Sequence, residues 1–332
     1  TLGSLLFMRV PLPAAIMTTS TGLRWMTSSP FLCVETTFMS LFLRSCIRWF
    51  AIISVLASAM IMGGCSAVRL GYNNAPDLTY WWLDSYLDFD TPQTLRVRAD
   101  LQTWQDWHRK EELPQYAELL KGLQPLVNQT VSAEQVCSIY TTIETRLLVA
   151  TGRILPTAAA VAPLLQPSQL VHLERTWEKR NQEWREDWLD GTPAERASDR
   201  LKKFVERAES FYGRLSDGQA ERMRALLEAS PLEANTLYRE RLRRQQDTLQ
   251  TLQALRSGNA TEAQAQAELQ ALLNRSVHSP QAALRQYQDR MRQHSCNLLA
   301  VLHNSATPAQ RTKLSQVLQG YENDARALSA AR

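Results

Sequence analysis

The stretch from residue 201 to residue 215 reads LKKFVERAESFYGRL, with apolar residues three or four positions apart. They are Leu201, Phe204, Val205, Ala208, Phe211, Tyr212 and Leu215. This spacing puts them on one face of an α-helix. Similar patterns recur along the chain, and convincing strand patterns are missing. Only eight glycines follow Cys65, and Asp190-Gly191 and Asp217-Gly218 both precede helical patterns. We expect an all-α fold, a multi-helix bundle or array of antiparallel helices behind an N-terminal signal.

Several of these helical patterns begin with a polar residue that is followed three positions later by glutamine. The pairs are Ser132 and Gln135, Ser216 and Gln219, Thr261 and Gln264, Thr307 and Gln310, and a weaker copy, Gln166 and Gln169. In a capping box the hydroxyl accepts from the N3 amide, and the glutamine accepts from the N–H of the cap. The windows also resemble the LTxxQ motif of the Spy/CpxP periplasmic proteins. Structural capping and a chaperone relationship both remain open.

A secretory signal is indicated upstream of these helices. Arg44 and Arg48 precede an apolar run that ends at Met62-Gly63-Gly64-Cys65, which is the order of a signal peptide. The run is shorter than the roughly 20 residues of a membrane-spanning helix, although a degenerate membrane helix is the alternative. The last four residues resemble a bacterial lipobox. This resemblance implies a diacylglyceryl and an N-acyl lipid on Cys65, and we expect no other cofactor.

The signal divides the chain into four segments. Met39 opens a signal of ordinary length, so residues 39–64 are predicted to be the lipoprotein signal and residues 1–38 a mis-assigned start or a non-structural extension. Residues 65–90 are an aromatic-rich, lipid-anchored segment, and residues 91–332 are the α-helical domain. By resemblance to lipoprotein sorting rules, Ser66 favours the outer membrane, facing the periplasm, over the inner membrane.

The charge of the chain argues against nucleic-acid binding. The whole chain has a net charge of +4, and removal of residues 1–64 takes away four arginines and one glutamate. The net charge then falls to +1, with both signs spread over every helix. Nucleic-acid binding needs a clustered basic surface. We therefore expect the membrane, reached through the lipid anchor, and an envelope protein or unfolded client as partners, and no nucleic acid.

Two cysteines, Cys137 and Cys296, remain after Cys65 and the removed segment are set aside. In an oxidising compartment they can form a disulfide, which would stabilise the fold by roughly 4 to 5 kcal/mol in the chain-entropy model. Two separately buried thiols are the alternative. Neither cysteine has a histidine or acidic residue at a fixed short offset, so we expect no metal site.

The segment after Cys65 is rich in aromatic residues. Tyr80, Trp81, Trp82, Tyr86 and Phe89 could lie at the headgroup level of a bilayer, where tryptophan and tyrosine are favoured. The alternative is that Trp81, Tyr86 and Phe89 pack inward against the following helices. We favour packing because several aspartates in this segment would be repelled by anionic lipid.

Four blocks together resemble a family of uncharacterised proteobacterial lipoproteins. They are residues 65–76, residues 81–89, Trp107-His108-Arg109 with Leu113-Pro114-Gln115-Tyr116, and residues 303–311. The resemblance implies an envelope lipoprotein with an α-helical body. It supplies no catalytic residues.

Two groups of residues are candidates for binding a partner. Trp104, Trp107, His108 and Arg109 lie in the block that most resembles the family. Trp177, Trp184 and Trp188 form one stripe of a helix whose other faces are charged. Such a stripe usually belongs to a core; when exposed, it provides residue types that dominate binding hot spots. His108 is likewise more typical of a structural histidine than of a functional one.

No catalytic motif is present in the sequence. The five histidines form no His-Glu-x-x-His pair, and Gly-x-Ser-x-Gly and glycine-rich phosphate loops are missing. We therefore expect a lipid-anchored binding, scaffold or chaperone-like protein rather than an enzyme. A cell-wall or lipid-acting enzyme is the alternative, and a pair of titratable groups in a closed pocket would favour it.

Overall fold

The computed structural model describes residues 67–258 and 260–331. The predicted extension, the signal and Cys65 lie outside the described residues. Within these ranges the chain is helical and contains no strand, which confirms the all-α prediction. Residues 67–74 and residues 75–331 belong to two different compact units. In the first, α1 (Ala67–Asn73) is followed by Asn74, whose side-chain amide donates to the carbonyl of Leu70 at 2.8 Å.

The second unit consists of helices joined by short loops. They are α2 (Ala75–Leu87), α3 (Thr91–Trp107), a π-helical turn (His108–Glu112), α4 (Leu113–Leu123), a 3-10 turn (Gln124–Asn128), α5 (Ala133–Gly152), α6 (Leu155–Val161), a 3-10 turn (Ala162–Leu164), α7 (Pro167–Trp188), α8 (Pro193–Tyr212), α9 (Asp217–Glu228), α10 (Ala234–Ser257), α11 (Glu262–Val277), α12 (Ala282–Asn304) and α13 (Pro308–Ala330).

These helices pair in a nested order, so that the second half of the unit packs on the first half in reverse. α4 packs against α13, α5 against α12, α6 against α11 and α7 against α10, while α8 and α9 pair with each other. Glu118 binds Arg326, and Gln124 binds Ser315, both at 2.9 Å. These contacts show that α4 and α13 run antiparallel. The antiparallel array is thus a nested hairpin of helices that closes at α8 and α9.

The predicted apolar face of residues 201–215 is buried at this closed end. Leu201, Phe204 and Ala208 of α8 pack with Met223 of α9 and Leu302 of α12. Burial of such side chains is worth roughly 1.5 to 3 kcal/mol each. The helical periodicity therefore identifies a real core face, and this face ties α8 and α9 to α12.

The aromatic segment before residue 91 belongs largely to the helical body. α2 packs against α3 and α7. Tyr80 is buried, and Tyr86 and Phe89 pack against the same apolar cluster. The expectation that Trp81 also packs inward is wrong, because Trp81 is 59% exposed. Residues 75–90 are thus continuous with the body that was expected to start at residue 91.

A disulfide joins the two halves of the nested hairpin. Cys137 of α5 and Cys296 of α12 are bonded, with their Cα atoms 5.4 Å apart. Before the start of α5, the N–H of Val131 donates to Oδ1 of Asn304, whose amide donates back to the carbonyl of Val131, both at 2.9 Å. The covalent bond and this pair of hydrogen bonds fix the register of α5 on α12.

The predicted capping boxes begin α5, α9, α11 and α13. In each, the hydroxyl residue accepts from the N3 backbone and the glutamine accepts from the cap. The weaker copy begins α7, where the N–H of Gln166 donates to Oε1 of Gln169 at 2.7 Å. The structure contains two further boxes, Asp90 with Gln93 and Thr192 with Glu195. The LTxxQ-like windows therefore act as helix caps.

Four of the capping glutamines also form two pairs, and each pair joins the N-termini of two helices. Gln93 and Gln169 exchange side-chain hydrogen bonds of 3.2 and 2.7 Å. Gln219 and Gln310 do the same, with 2.9 Å in both directions. Each amide donates its second hydrogen to a backbone carbonyl just before the partner helix. These buried amides therefore have every donor and acceptor satisfied.

One stretch of the described residues, Ala133–Leu164, is long and apolar enough to cross a membrane by length and composition alone. In the structure it is divided between α5 and α6, with Pro156 in the first turn of α6. α5 is also bonded to α12 through Cys137. The stretch therefore forms two helices of the packed body.

Candidate functional site

A cavity of about 480 Å³ lies among α2, α7, α10 and α12. Its lining contains the rings of Trp82, Tyr86, Trp177, Trp184 and Trp188, together with seven leucines and a few polar side chains. We call it the tryptophan cavity. Small-molecule sites have volumes of roughly 300 to 1,000 Å³ and are mostly apolar with few polar groups. The cavity has the size and composition of a binding site.

The predicted tryptophan stripe of α7 provides one wall of this cavity. Trp177, Trp184 and Trp188 are all half-buried and face the space between α7 and α10. Trp184 stacks on Trp188 with ring centroids 6.0 Å apart and on Tyr238 with centroids 5.4 Å apart. Stacking on two rings restricts the ring of Trp184. The stripe is neither a closed core nor a free ridge, because its rings are held in place and still line an open space.

Trp82, on α2, also lines the cavity. It is 44% exposed and packs on Tyr86 with ring centroids 5.2 Å apart. The sequence identified this segment as aromatic but did not connect it with the stripe of α7. The two are brought together because α2 packs against α7.

The cavity contains one arginine without an acidic partner. Nε of Arg241 donates to Oδ1 of Asn181 at 2.6 Å. Asn181 and Gln245 in turn exchange amide hydrogen bonds of 2.8 and 3.0 Å. Within the two ranges that the structure describes, no carboxylate forms an ion pair with Arg241. Burial lowers the pKa of Arg241 below that of a solvated guanidinium, although the group stays charged at neutral pH.

Glu240 is the one carboxylate among the described lining residues, and it is already neutralised. Its oxygens accept from Nε of Arg243 at 2.7 Å and Nε of Arg244 at 2.8 Å. Burial of Glu240 acts to raise its pKa, but these hydrogen bonds and charges outweigh it and the pKa is lowered. A carboxylate with a lowered pKa is a poor general acid at neutral pH. The cavity lining thus provides no pair of titratable groups for acid–base chemistry.

The second predicted group lies elsewhere, around the π-helical turn between α3 and α4. The indole N–H of Trp104 donates to the carbonyl of Ala150 at 2.9 Å, and Arg109 donates to the carbonyl of Leu328 at 2.9 Å. The guanidinium of Arg153 lies 5.5 Å from the ring centre of Trp107. These contacts anchor the turn to α5 and α13. None of Trp104, Trp107, His108 and Arg109 lines the tryptophan cavity.

His108 is buried within this turn. It stacks on Trp104 with ring centroids 4.7 Å apart and meets Tyr116 edge-on at 5.4 Å. Burial lowers the pKa of His108 to about 4, so the ring is neutral at neutral pH. Its ring contacts are those of a packed side chain.

Glu112 ends the same π-helical turn and is buried. Its Oε1 lies 3.5 Å from a guanidinium nitrogen of Arg146, and within the described residues its Oε2 has no hydrogen-bond partner. Burial and the charge of Glu112 raise the pKa of Tyr116 to about 12. π-Helical turns frequently mark functional positions. Here the turn holds a buried polar cluster that does not border the tryptophan cavity.

Sequence reasoning missed the polar part of the cavity. Leu237, Arg241, Gln245, Thr248 and Leu252 line it from α10, at spacings of three and four that define one helix face. Leu242, on another face of the same helix, is 40% exposed. The spacing of the lining residues is visible in the sequence. It did not indicate a cavity, because an arginine on a partly apolar helix face is usually solvated.

Two further points are a possible metal site and the similarity of the chain to known proteins. Among the described residues, no three His, Cys, Asp or Glu side chains are grouped to hold a metal ion. No curated protein and no solved structure matches the chain. Residues 85–279, more than half of the chain, match the profile of DUF6279, a family of unknown function. This range contains two of the four helices that line the cavity, α7 and α10, in full, together with the end of α2, whereas α12 lies outside it. The chain therefore belongs to the DUF6279 family.

Proposed function

We propose that this protein is a lipid-anchored component of the bacterial cell envelope that binds a client in its tryptophan cavity without turning it over. The composition of the cavity carries the proposal. Its walls are tryptophan, tyrosine and leucine, and its carboxylate, Glu240, is neutralised by two arginines. General acid–base catalysis needs a titratable group with a matched pKa within reach of the substrate. Apolar binding is the function that this lining supports best.

The envelope address rests on the sequence around Cys65. Met62-Gly63-Gly64-Cys65 resembles a lipobox, and Ser66 favours the outer membrane over the inner membrane. The resemblance to proteobacterial lipoproteins points the same way. An envelope protein or an unfolded client would supply apolar groups to the cavity, and the balanced charge disfavours nucleic acid.

An enzyme acting on the cell wall or on lipid has less support. His108 and Glu112 would be its acid–base residues, since both are buried in one π-helical turn. Neither lines the tryptophan cavity. A substrate in the cavity would therefore not meet them.

The anchor can be tested in a Gram-negative host that expresses the full chain. The wild type should incorporate labelled palmitate and fractionate with the outer membrane, whereas Cys65→Ala should lose the label. Equal labelling of the two chains would contradict the lipid anchor.

The cavity can be tested separately in the same cells with a photo-crosslinking amino acid. At Leu237, which lines the cavity, it should capture a discrete ligand or client in the envelope. At Arg239, which is exposed on another face of the same helix, it should capture none of it. The same products from both positions, or none from Leu237, would overturn the binding function.

A further inference from the structure

The tryptophan cavity has an uncompensated positive charge in an apolar setting. Its charged lining residues are Glu240, Arg241 and Arg244. Glu240 bonds to Arg244 and to Arg243, so Arg241 remains without a carboxylate among the described residues. A charge surrounded by apolar walls is costly unless it is paired. A ligand with one negative charge would complete this site.

Arg241 is also oriented for such a ligand. Asn181 holds its Nε, and Gln245 holds Asn181 through two hydrogen bonds. A guanidinium has five N–H donors, so four remain on the two terminal nitrogens. These nitrogens form the fork that binds the two oxygens of a carboxylate or phosphate. Asn181 is itself buried, so its hydrogen bond with Nε restricts the orientation of the Arg241 guanidinium.

The rest of the cavity favours an alkyl chain over a peptide. An extended peptide brings an N–H and a C=O at nearly every residue, and each needs a partner when buried. The polar lining groups are largely engaged: the hydroxyl of Thr248 donates to the carbonyl of Arg244 at 2.8 Å, and Gln245 is bonded to Asn181. A hydrocarbon chain makes no such demand and gains from burial against tryptophan and leucine.

We propose that the tryptophan cavity binds a single-chain amphiphile with one negative charge, whose alkyl chain lies among the tryptophans and leucines and whose head binds the terminal nitrogens of Arg241. A fatty acid and a monoacyl phosphodiester lipid share this chemistry. The inference rests on the proposed function, since it names the ligand class of the same cavity.

A neighbouring polar pocket provides the alternative position for the head. It shares Trp188 and Leu232 with the tryptophan cavity and contains Arg196, Arg200 and Lys203. Two of these cations are already engaged, because Arg196 donates to the carbonyls of Leu189 and Gly191 and Lys203 lies 3.7 Å from Asp187. The third, Arg200, gives a matched comparison for Arg241.

The test uses envelopes from cells that express the full chain, labelled with three photoactivatable probes. These are palmitic acid, lysophosphatidylglycerol and, as the neutral control, the fatty alcohol that corresponds to palmitic acid. An anionic probe should label peptides of α7 and α10. Labelling should fall about tenfold in Arg241→Gln, the effect of losing a charge-assisted bond, and partly recover in Arg241→Lys. The anionic probe that labels more strongly identifies the head group.

The control variants are Arg239→Gln and Arg200→Gln, and both should label as the wild type does. The alcohol should label every variant equally, which also shows that the cavity is intact in Arg241→Gln. Unchanged anionic labelling in Arg241→Gln, or a loss in Arg200→Gln alone, would overturn the inference.

Failure of the inference is distinguishable from failure of the proposed function. If neither anionic probe is preferred over the alcohol, while the cross-linker at Leu237 still captures a ligand, the ligand class is wrong and the binding function stands. If the cross-linker at Leu237 also captures nothing, both are wrong.

Discussion

The side-chain amides of Gln219 and Gln310 form two reciprocal hydrogen bonds, each with 2.9 Å between nitrogen and oxygen. Each oxygen also accepts from the N–H of its own cap, Ser216 or Thr307. One polar side chain thus caps its helix and joins it to another. Because both glutamines are buried, this pair should contribute far more to stability than an exposed cap.

Replacement of one paired glutamine by glutamate should destabilise the protein strongly. Gln310→Glu removes both amide hydrogens and places a carboxylate against the oxygen of Gln219. The oxygens that lose these hydrogens are left unsatisfied, and the buried carboxylate is left unpaired. Together these losses should lower the free energy of unfolding by about 3 kcal/mol or more, as measured by urea unfolding at neutral pH.

Gln264→Glu is the matched control for this prediction. Gln264 caps α11 in the same way but is exposed, and glutamate serves equally well at N3 of a capping box. Its effect should stay within roughly 0.5 kcal/mol. Equal losses in the two variants would show that the pairing of helix ends adds no stability.

The buried ring of His108 should make stability depend on pH. Burial lowers its pKa to about 4, below the value of about 6.5 in an unfolded chain. Between these values the unfolded state binds more protons, so the contribution is complete above pH 6.5 and is lost as the pH falls towards 4. The loss attributable to His108 should approach about 3 kcal/mol.

The measurement is the free energy of unfolding across this pH range in the wild type and in His108→Phe. The variant should show a shallower dependence, whatever its absolute stability. His278→Gln, at an exposed position after α11, should keep the slope of the wild type. An identical slope in His108→Phe would contradict the buried, neutral state of His108.

Reduction of the disulfide should weaken the whole helical unit. Cys137 and Cys296 are 159 positions apart, and opening so long a loop should cost about 5 kcal/mol in the chain-entropy model. The midpoint of urea unfolding should therefore fall when a reductant is added. The double variant Cys137→Ser with Cys296→Ser should unfold at the lower midpoint with or without reductant.

The helices and most of their caps could be predicted from the sequence because both are local. Apolar spacing in residues 201–215 and a hydroxyl three positions before glutamine depend on neighbours within one or two turns. The box at Asp90 escaped notice because its cap is a carboxylate, and the box at Thr192 because glutamate replaces glutamine at N3. Both boxes are as local as the others, but neither combines a hydroxyl with glutamine.

The pairing of helices could not be predicted, because it depends on contacts between residues far apart in sequence. Nothing local indicates that Gln219 meets Gln310, or that α5 lies on α12. The cavity could not be predicted for the same reason. A tryptophan stripe has the same spacing whether its rings fill a core or line a space, and only the position of α2 and α10 decides between them. Trp81 and Trp82 show the same limit: they are adjacent in sequence, yet only Trp82 lines the cavity.

The binding role of the tryptophan cavity is tested most directly by native mass spectrometry of the protein isolated from envelopes. The wild type should retain a bound species, and Leu237→Trp, which fills the cavity with a larger side chain, should lose it while still folding. Leu242→Trp provides the control, because Leu242 is exposed on the same helix and does not line the cavity. Absence of any bound species in the wild type, or its retention in Leu237→Trp, would contradict the account.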